Sequence, residues 1–212
     1  MTKVFPIFLL FFIFCLPVQG QNSDVPGKGA VDLMIAADNS GSFRLVLDRQ
    51  FALIREIAGG AAPGDRGGLM TYASASVIRQ RQELTEDVGE LIVEAENIYA
   101  EPGAKAMLDG VRHAAYLLGK SESGNRRVLI LITDGADRES ASSVADVVSV
   151  ICQHSVELHV IVVADGVPST KLIDRLVRDS GGRRYVPKKR SDDPETVREL
   201  WNNIRAGEKN QE

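Results

Sequence analysis

Two rhythms of apolar residues alternate along the chain. Short unbroken apolar runs, among them AVDLMIAAD at residues 30–38, VLILIT at 128–133 and VELHVIVVADG at 156–166, are each followed by a stretch in which large apolar residues return every three or four positions. The first rhythm predicts strands and the second amphipathic helices. The pattern therefore predicts a strand ending at Asp38, then a helix carrying Phe43, Leu47, Phe51, Ile54 and Ala58 on one face. Two short strands follow, GLMTYA and SVIRQRQEL, then a helix over TEDVGELIVEAENI capped by Thr85 and a helix over AMLDGVRHAAYLLG. RRVLILITDG repeats the opening motif, an apolar strand running into an acid and a glycine. After it come a helix over ESASSVADVVSVICQHS, the strand VELHVIVVADG, a helix STKLIDRLVRDSGG ended by glycines, a short strand RRYVP and a closing helix DPETVRELWNNIRAG.

Strands as apolar as VLILIT leave no side for solvent, so helices must cover both faces of a mainly parallel sheet. The predicted fold is one α/β domain, doubly wound, with a mainly parallel sheet of about six strands, over residues 30–206. In such a sheet the loops at the carboxyl ends of the strands form the ligand crevice, which places Asp38–Ser42 and Asp134–Asp137 at one edge.

The ends of the chain follow different rules. Residues 1–20, MTKVFPIFLLFFIFCLPVQG, set Lys3 before an apolar run of about thirteen residues, break at Pro17 and offer a small-residue cleavage site near Gly20, the pattern of a secretory signal peptide. The run is shorter than the ~20 residues a spanning helix needs, so no stable membrane span is expected. Residues 21–29, QNSDVPGKG, read as a flexible lead and 207–212 as a polar tail. The expected location is secreted or periplasmic.

Charge and chemistry-bearing residues narrow the function. Without Lys3 the chain keeps 24 basic against 29 acidic residues, which gives no general affinity for nucleic acid. Cys15 leaves with the signal, so Cys152 has no internal partner; its place in VADVVSVICQH reads as a small buried side chain. His113, His154 and His159 lack zinc-ligand spacing. No GxSxG elbow and no GxGxxG turn occurs, and Ser40 stands where a phosphoaspartate hydrolase wants its second acid, so no enzyme is expected. RRYVPKKR, Arg183–Arg190, reads as a solvated edge loop and Trp201 as core.

What remains is DNSGS. Asp38, Ser40 and Ser42 offer a carboxylate and two hydroxyls at alternate positions of a turn that Gly41 lets bend, hard oxygen donors of the kind that suit Mg²⁺ or Mn²⁺; Asp134 offers a second carboxylate. The same residues also suit a plain helix cap. DNSGS closing one strand and TDG closing a later one resemble the von Willebrand factor type A (VWA) family, and the ADRESASSVADVV stretch resembles bacterial members with signal peptides. The resemblance implies a metal-ion-dependent adhesion site, DxSxS plus a distant Asp, matched here at Asp38, Ser40, Ser42 and Asp134. It implies a protein-binding module in which a Glu or Asp of another protein completes the cation's coordination. It also implies a contact face at loops 38–42, 101–105 and 134–138, with Glu101, Lys105 and Asp137 meeting the partner.

One position departs from that family pattern. Where the family has a threonine, this chain reads Gly103-Ala104-Lys105-Ala106-Met107. An ammonium beside two carboxylates is welcome without a metal and repels a divalent ion. Three arrangements are open: a metal bound by Asp38, Ser40, Ser42 and Asp134; a metal-independent structural or scaffold domain in which Lys105 replaces the cation; or Lys105 turned to solvent on its long stem.

Overall fold

The computed structural model describes residues 29–207. The expected signal peptide, the lead up to residue 28 and the tail beyond residue 207 lie outside the described residues. Six strands, β1 (Val31–Asp38), β2 (Arg66–Ser74), β3 (Val77–Thr85), β4 (Arg126–Thr133), β5 (Val156–Val162) and β6 (Arg184–Tyr185), form one sheet in the order β3-β2-β1-β4-β5-β6. Every neighbouring pair is parallel except β2 with β3, a hairpin at the edge whose register shifts along its length. Six α-helices accompany the strands: α1 (Leu47–Gly59), α2 (Gly89–Glu96), α3 (Met107–Gly119), α4 (Val144–Gln153), α5 (Lys171–Arg178) and α6 (Asp193–Ala206). The doubly wound, mainly parallel architecture expected from the sequence is the one found.

The predominantly apolar character of β1 has a direct cause. Val31, Leu33, Ile35 and Ala37 enter one core with Leu53 and Ile57 of α1, Leu91 of α2 and Leu200 and Ile204 of α6. Met34 and Ala36 enter the other core with Val111 and Ala115 of α3, Ile151 of α4 and Leu176 of α5. The strand is covered on both faces, so both sets of alternate positions must be apolar. The chain leaves β1 toward β2 on one side, while β4 pairs with β1 on the other. The carboxyl ends of β1 and β4 therefore flank the switch point, where a crevice opens in sheets of this kind. Asp38 is the last residue of β1 and Asp134 directly follows β4.

Four local expectations are corrected. The segment after β1 starts with a 3₁₀ turn, Gly41–Val46, before α1, although Phe43 is buried as its spacing predicts. Thr85 ends β3, and its hydroxyl accepts from the Asp87 backbone N–H (3.1 Å); α2 begins only at Gly89. The helix expected from Glu139 starts at Val144, where Ser143 and Asp146 form a reciprocal capping box. Residues 141–142 serve instead to donate their N–H groups to Asp109 of α3. Cys152 is exposed: α4 buries Val147 and Ile151 at helical spacing, and the next residue turns outward.

Candidate functional site

The loop after β1 is fixed by its own first residue. Asp38 is fully buried, and its Oδ1 accepts the Ser40 backbone N–H at 2.8 Å, closing the turn. The Ser40 backbone pairs with Glu101 in an isolated bridge, and the Glu101 N–H donates to the Asn39 carbonyl at 2.8 Å, so the 99–106 loop is laid against the first. The Ser40 and Ser42 hydroxyls lie 3.4 Å apart and face each other. Asp134 extends from β4; its Oδ1 accepts the Ala136 N–H at 3.0 Å and its carbonyl accepts the Ser169 N–H at 3.0 Å. Gly135 is required here, since its φ is 83° and a Cβ would stand 1.7 Å from the Ser169 carbonyl oxygen.

Between the two carboxylates sits Lys105. Its side chain is 3% exposed; Nζ lies 3.2 Å from Asp38 Oδ2 and donates to Asp134 Oδ2. The ammonium also stands 5.4 Å from the Phe43 ring centroid, a favourable cation–π placement. The backbone that aims it there is unusual. Lys105 has φ 69°, a left-handed conformation that costs a residue with a Cβ roughly 1–2 kcal/mol. Three hydrogen bonds hold it: the Lys105 N–H donates to the Ala73 carbonyl (2.9 Å), and the Lys105 carbonyl accepts the N–H groups of Arg138 (3.0 Å) and Glu139 (3.2 Å). Gly103 lets the loop pass this close to β2, for a Cβ there would lie 2.2 Å from the Ala73 oxygen. Glu139 fastens the other side by accepting from the Ala104 and Ala75 N–H groups.

The electrostatics follow from burial. A buried ammonium is stable only when paired, and here it has two carboxylate partners. Burial raises the Asp38 carboxyl above its ordinary value; the Lys105 charge and the Ser40 hydrogen bonds pull it down only in part. Tyr72 of β2, fully buried beneath the site, has its phenol pushed well up, first by burial and then by the Asp38 charge. Sequence reading placed Tyr72 in a strand and assigned it no role in the site. Its position in GLMTYA, one strand over from DNSGS, is a usable signal only once the parallel register pairing Asp38 with Tyr72 is known.

The solvent-turned arrangement of Lys105 is excluded by its burial. The residues expected to meet a partner are engaged inside the chain. Glu101 is 7% exposed and accepts from Arg79 Nε at 3.1 Å, which first among several causes holds its carboxyl below the ordinary range. Asp137 accepts from the Leu108 N–H at the start of α3 (3.1 Å) and from the Ser140 hydroxyl of its own loop (2.6 Å). The expected Mg²⁺ or Mn²⁺ does not fit the donors as arranged. An Mg²⁺ ion sits about 2.1 Å from its oxygens, whereas the point shared by Asp38 Oδ2 and Asp134 Oδ2 is taken by Nζ and the serine hydroxyls turn to each other. Among the described residues no group of three or more His, Cys, Asp or Glu could hold a metal ion. The histidines do not converge: His159 is buried and paired with Glu157 (2.8 Å), His154 caps α4, and His113 is exposed on α3.

Comparison with known proteins agrees with this geometry at the level of family. Residues 33–136 match the model of the von Willebrand factor type A domain. The chain carries a von Willebrand factor type A domain over those residues. No curated protein sequence matches it. Among solved structures, an aerotolerance-related membrane protein from Bacteroides fragilis, with several residues mutated to serine, superposes with a TM-score of 0.66 at 17% identity, covering 82% of this chain and 99% of the other. BatB from Bacteroides thetaiotaomicron gives 0.67 at 16%, covering 82% and 98%. Proximal thread matrix protein 1 of the mussel byssus, solved with zinc in its MIDAS motif, gives 0.69 at 11%, covering 82% and 48%. At these identities the likeness shows a shared fold. In the last of these proteins the fold holds a zinc ion at its MIDAS motif.

Proposed function

We propose that this chain is a non-enzymatic protein-interaction module whose crevice, at the carboxyl ends of β1 and β4, is organised by the Lys105 ammonium in place of a divalent cation. The supporting observation is the position of Nζ, buried between Asp38 and Asp134 on a backbone held left-handed by three hydrogen bonds. Asp38, Ser40, Ser42 and Asp134 then serve as the frame of the loops, and Lys105 supplies the positive charge they require. The apolar N-terminal run, with cleavage near Gly20, supports export and action outside the cytoplasm. No helix among the described residues is long and apolar enough to cross a membrane.

The test is thermal unfolding of the chain in EDTA and in millimolar Mg²⁺ or Mn²⁺, beside Lys105→Thr. A ligand present at a hundredfold excess over its dissociation constant stabilises by about 2.7 kcal/mol, several degrees for a domain of this size. The parent melts at the same temperature in both buffers, and the threonine variant melts higher with metal. A metal-dependent rise in the parent contradicts the proposal.

A further inference from the structure

Replacing a metal by Lys105 changes what the crevice can recognise, and the inference rests on the function proposed above. A bound divalent ion with an open position is an electron-pair acceptor and takes a partner's carboxylate. Here the positive centre is closed off. Lys105 is 3% exposed and Asp38 not at all, whereas the Asp134 side chain is 25% exposed. The group a partner can reach is therefore a carboxylate, a hydrogen-bond acceptor, with the exposed Ser42 in the loop beside it. The ion triplet of Asp38, Lys105 and Asp134 carries a formal charge of one negative unit. The four loops at this edge, 38–45, 99–106, 134–140 and 163–170, contain six acidic residues, Asp38, Glu101, Asp134, Asp137, Glu139 and Asp165, against Arg44, Lys105 and Arg138.

Three of the loops at this edge also expose a large apolar side chain. Leu45 is 70% exposed three residues after Ser42. Tyr99 is 60% exposed on the loop whose carbonyl takes the Asn39 side-chain amide at 3.2 Å. Val167 is 99% exposed on the loop tied to Asp134 through Ser169. Large apolar side chains held out on three separate loops of the same sheet edge mark a contact surface. From the charge and the exposure together we infer that the crevice binds a protein segment presenting an arginine or lysine between apolar residues, the opposite sign to the acidic side chain a metal-bearing site would take.

The chain is titrated with two capped pentapeptides, Gly-Leu-Arg-Leu-Gly and Gly-Leu-Glu-Leu-Gly, in EDTA and again in Mg²⁺, and backbone amide shifts are followed by NMR. The arginine peptide shifts the amides of Ser42, Gly135 and Val167 saturably in both buffers and binds at least about tenfold more tightly than the glutamate peptide, the margin a charge-assisted hydrogen bond supplies. Asp134→Asn removes that preference. Because this variant also loses an ion pair, Val167→Ser, at a fully exposed position, is read beside it and weakens the arginine peptide. Saturable binding of the glutamate peptide in EDTA overturns the inference but leaves the metal-independent module standing. Glutamate binding that appears only with Mg²⁺ overturns both. No response at these amides to either peptide overturns the inference alone.

Discussion

Strand β1 carries a buried aspartate at each end of one face. Asp32 and Asp38 are six residues apart, ~20 Å along a strand, and alternate with Met34 and Ala36 on the side that meets α3. Each has a Ser-x-Ser pair nearby: Ser121 and Ser123 at the amino end, Ser40 and Ser42 at the carboxyl end. The two ends use these parts differently. Asp32 is met by donors at both oxygens. The Ser121 and Ser123 hydroxyls donate to Oδ2, the second at 2.7 Å, and the Asn125 side-chain amide donates to Oδ1 at 3.1 Å, with Arg66 3.8 Å away. At the carboxyl end the serines turn to each other, and Asp38 Oδ2 has no hydrogen-bond donor, only the ammonium of Lys105 at 3.2 Å. A buried carboxylate whose hydrogen bonds all come from neutral donors is a staple between loops. One whose outer oxygen faces a charge on a neighbouring loop depends on that loop.

The comparison breaks most sharply at Lys105. Lys105→Met strands two carboxylates in a buried site, and breaking a buried pair in this way costs about 3–5 kcal/mol. Urea denaturation should show that loss in EDTA, with part of it returned by millimolar Mg²⁺, because the vacated point then suits a cation. A loss below about 1 kcal/mol would mean the ion triplet contributes no more than a surface pair.

A smaller effect is expected at the amino end. Asp32→Ala removes the acceptor of two hydroxyls and an amide at a buried position, a loss of about 2–3 kcal/mol from unsatisfied polar groups. The same denaturation experiment should find this loss unchanged by Mg²⁺ or EDTA. A metal response at Asp32→Ala equal to that at Lys105→Met would erase the distinction between the two ends.

The smallest effect concerns protons. Asp38 has a folded-state pKa above its ordinary 3.8. As pH falls through that raised value toward 3.8, the native state takes up the proton before the unfolded chain does, so this group's contribution to stability increases on acidification and is lost as pH rises again. Asp38→Asn lacks the effect. The difference in unfolding free energy between parent and variant should therefore move in the parent's favour between neutral pH and about pH 4. A difference that moves the other way would mean that Lys105 outweighs burial at Asp38.

Much of the fold can be read from periodicity alone, because a central strand covered on both faces, such as β1 or β4, is apolar along most of its length and each helix shows one apolar stripe. The Asp38 turn and Asp134 could also be placed, since both lie where apolar strands stop. The chemistry of the site could not be read to the end. Lys105 was visible as an odd residue beside those acids, but whether it points in or out depends on a left-handed φ, which is set by the Ala73 carbonyl and by the N–H groups of Arg138 and Glu139, more than thirty residues away on either side. Glu101 and Asp137 looked free for the same reason: Arg79 and the Leu108 N–H become their partners only when the β2–β3 hairpin meets the 99–106 loop and the loop after β4 meets the start of α3.

The proposed function sets the Lys105 ammonium in place of a cation between Asp38 and Asp134. Crystals of the chain grown with Mn²⁺ and measured for anomalous scattering test it directly. No anomalous peak is expected between Asp38 and Asp134, and continuous density is expected for Lys105 reaching both carboxylates. A manganese peak at that point, with the Lys105 side chain displaced, would contradict it.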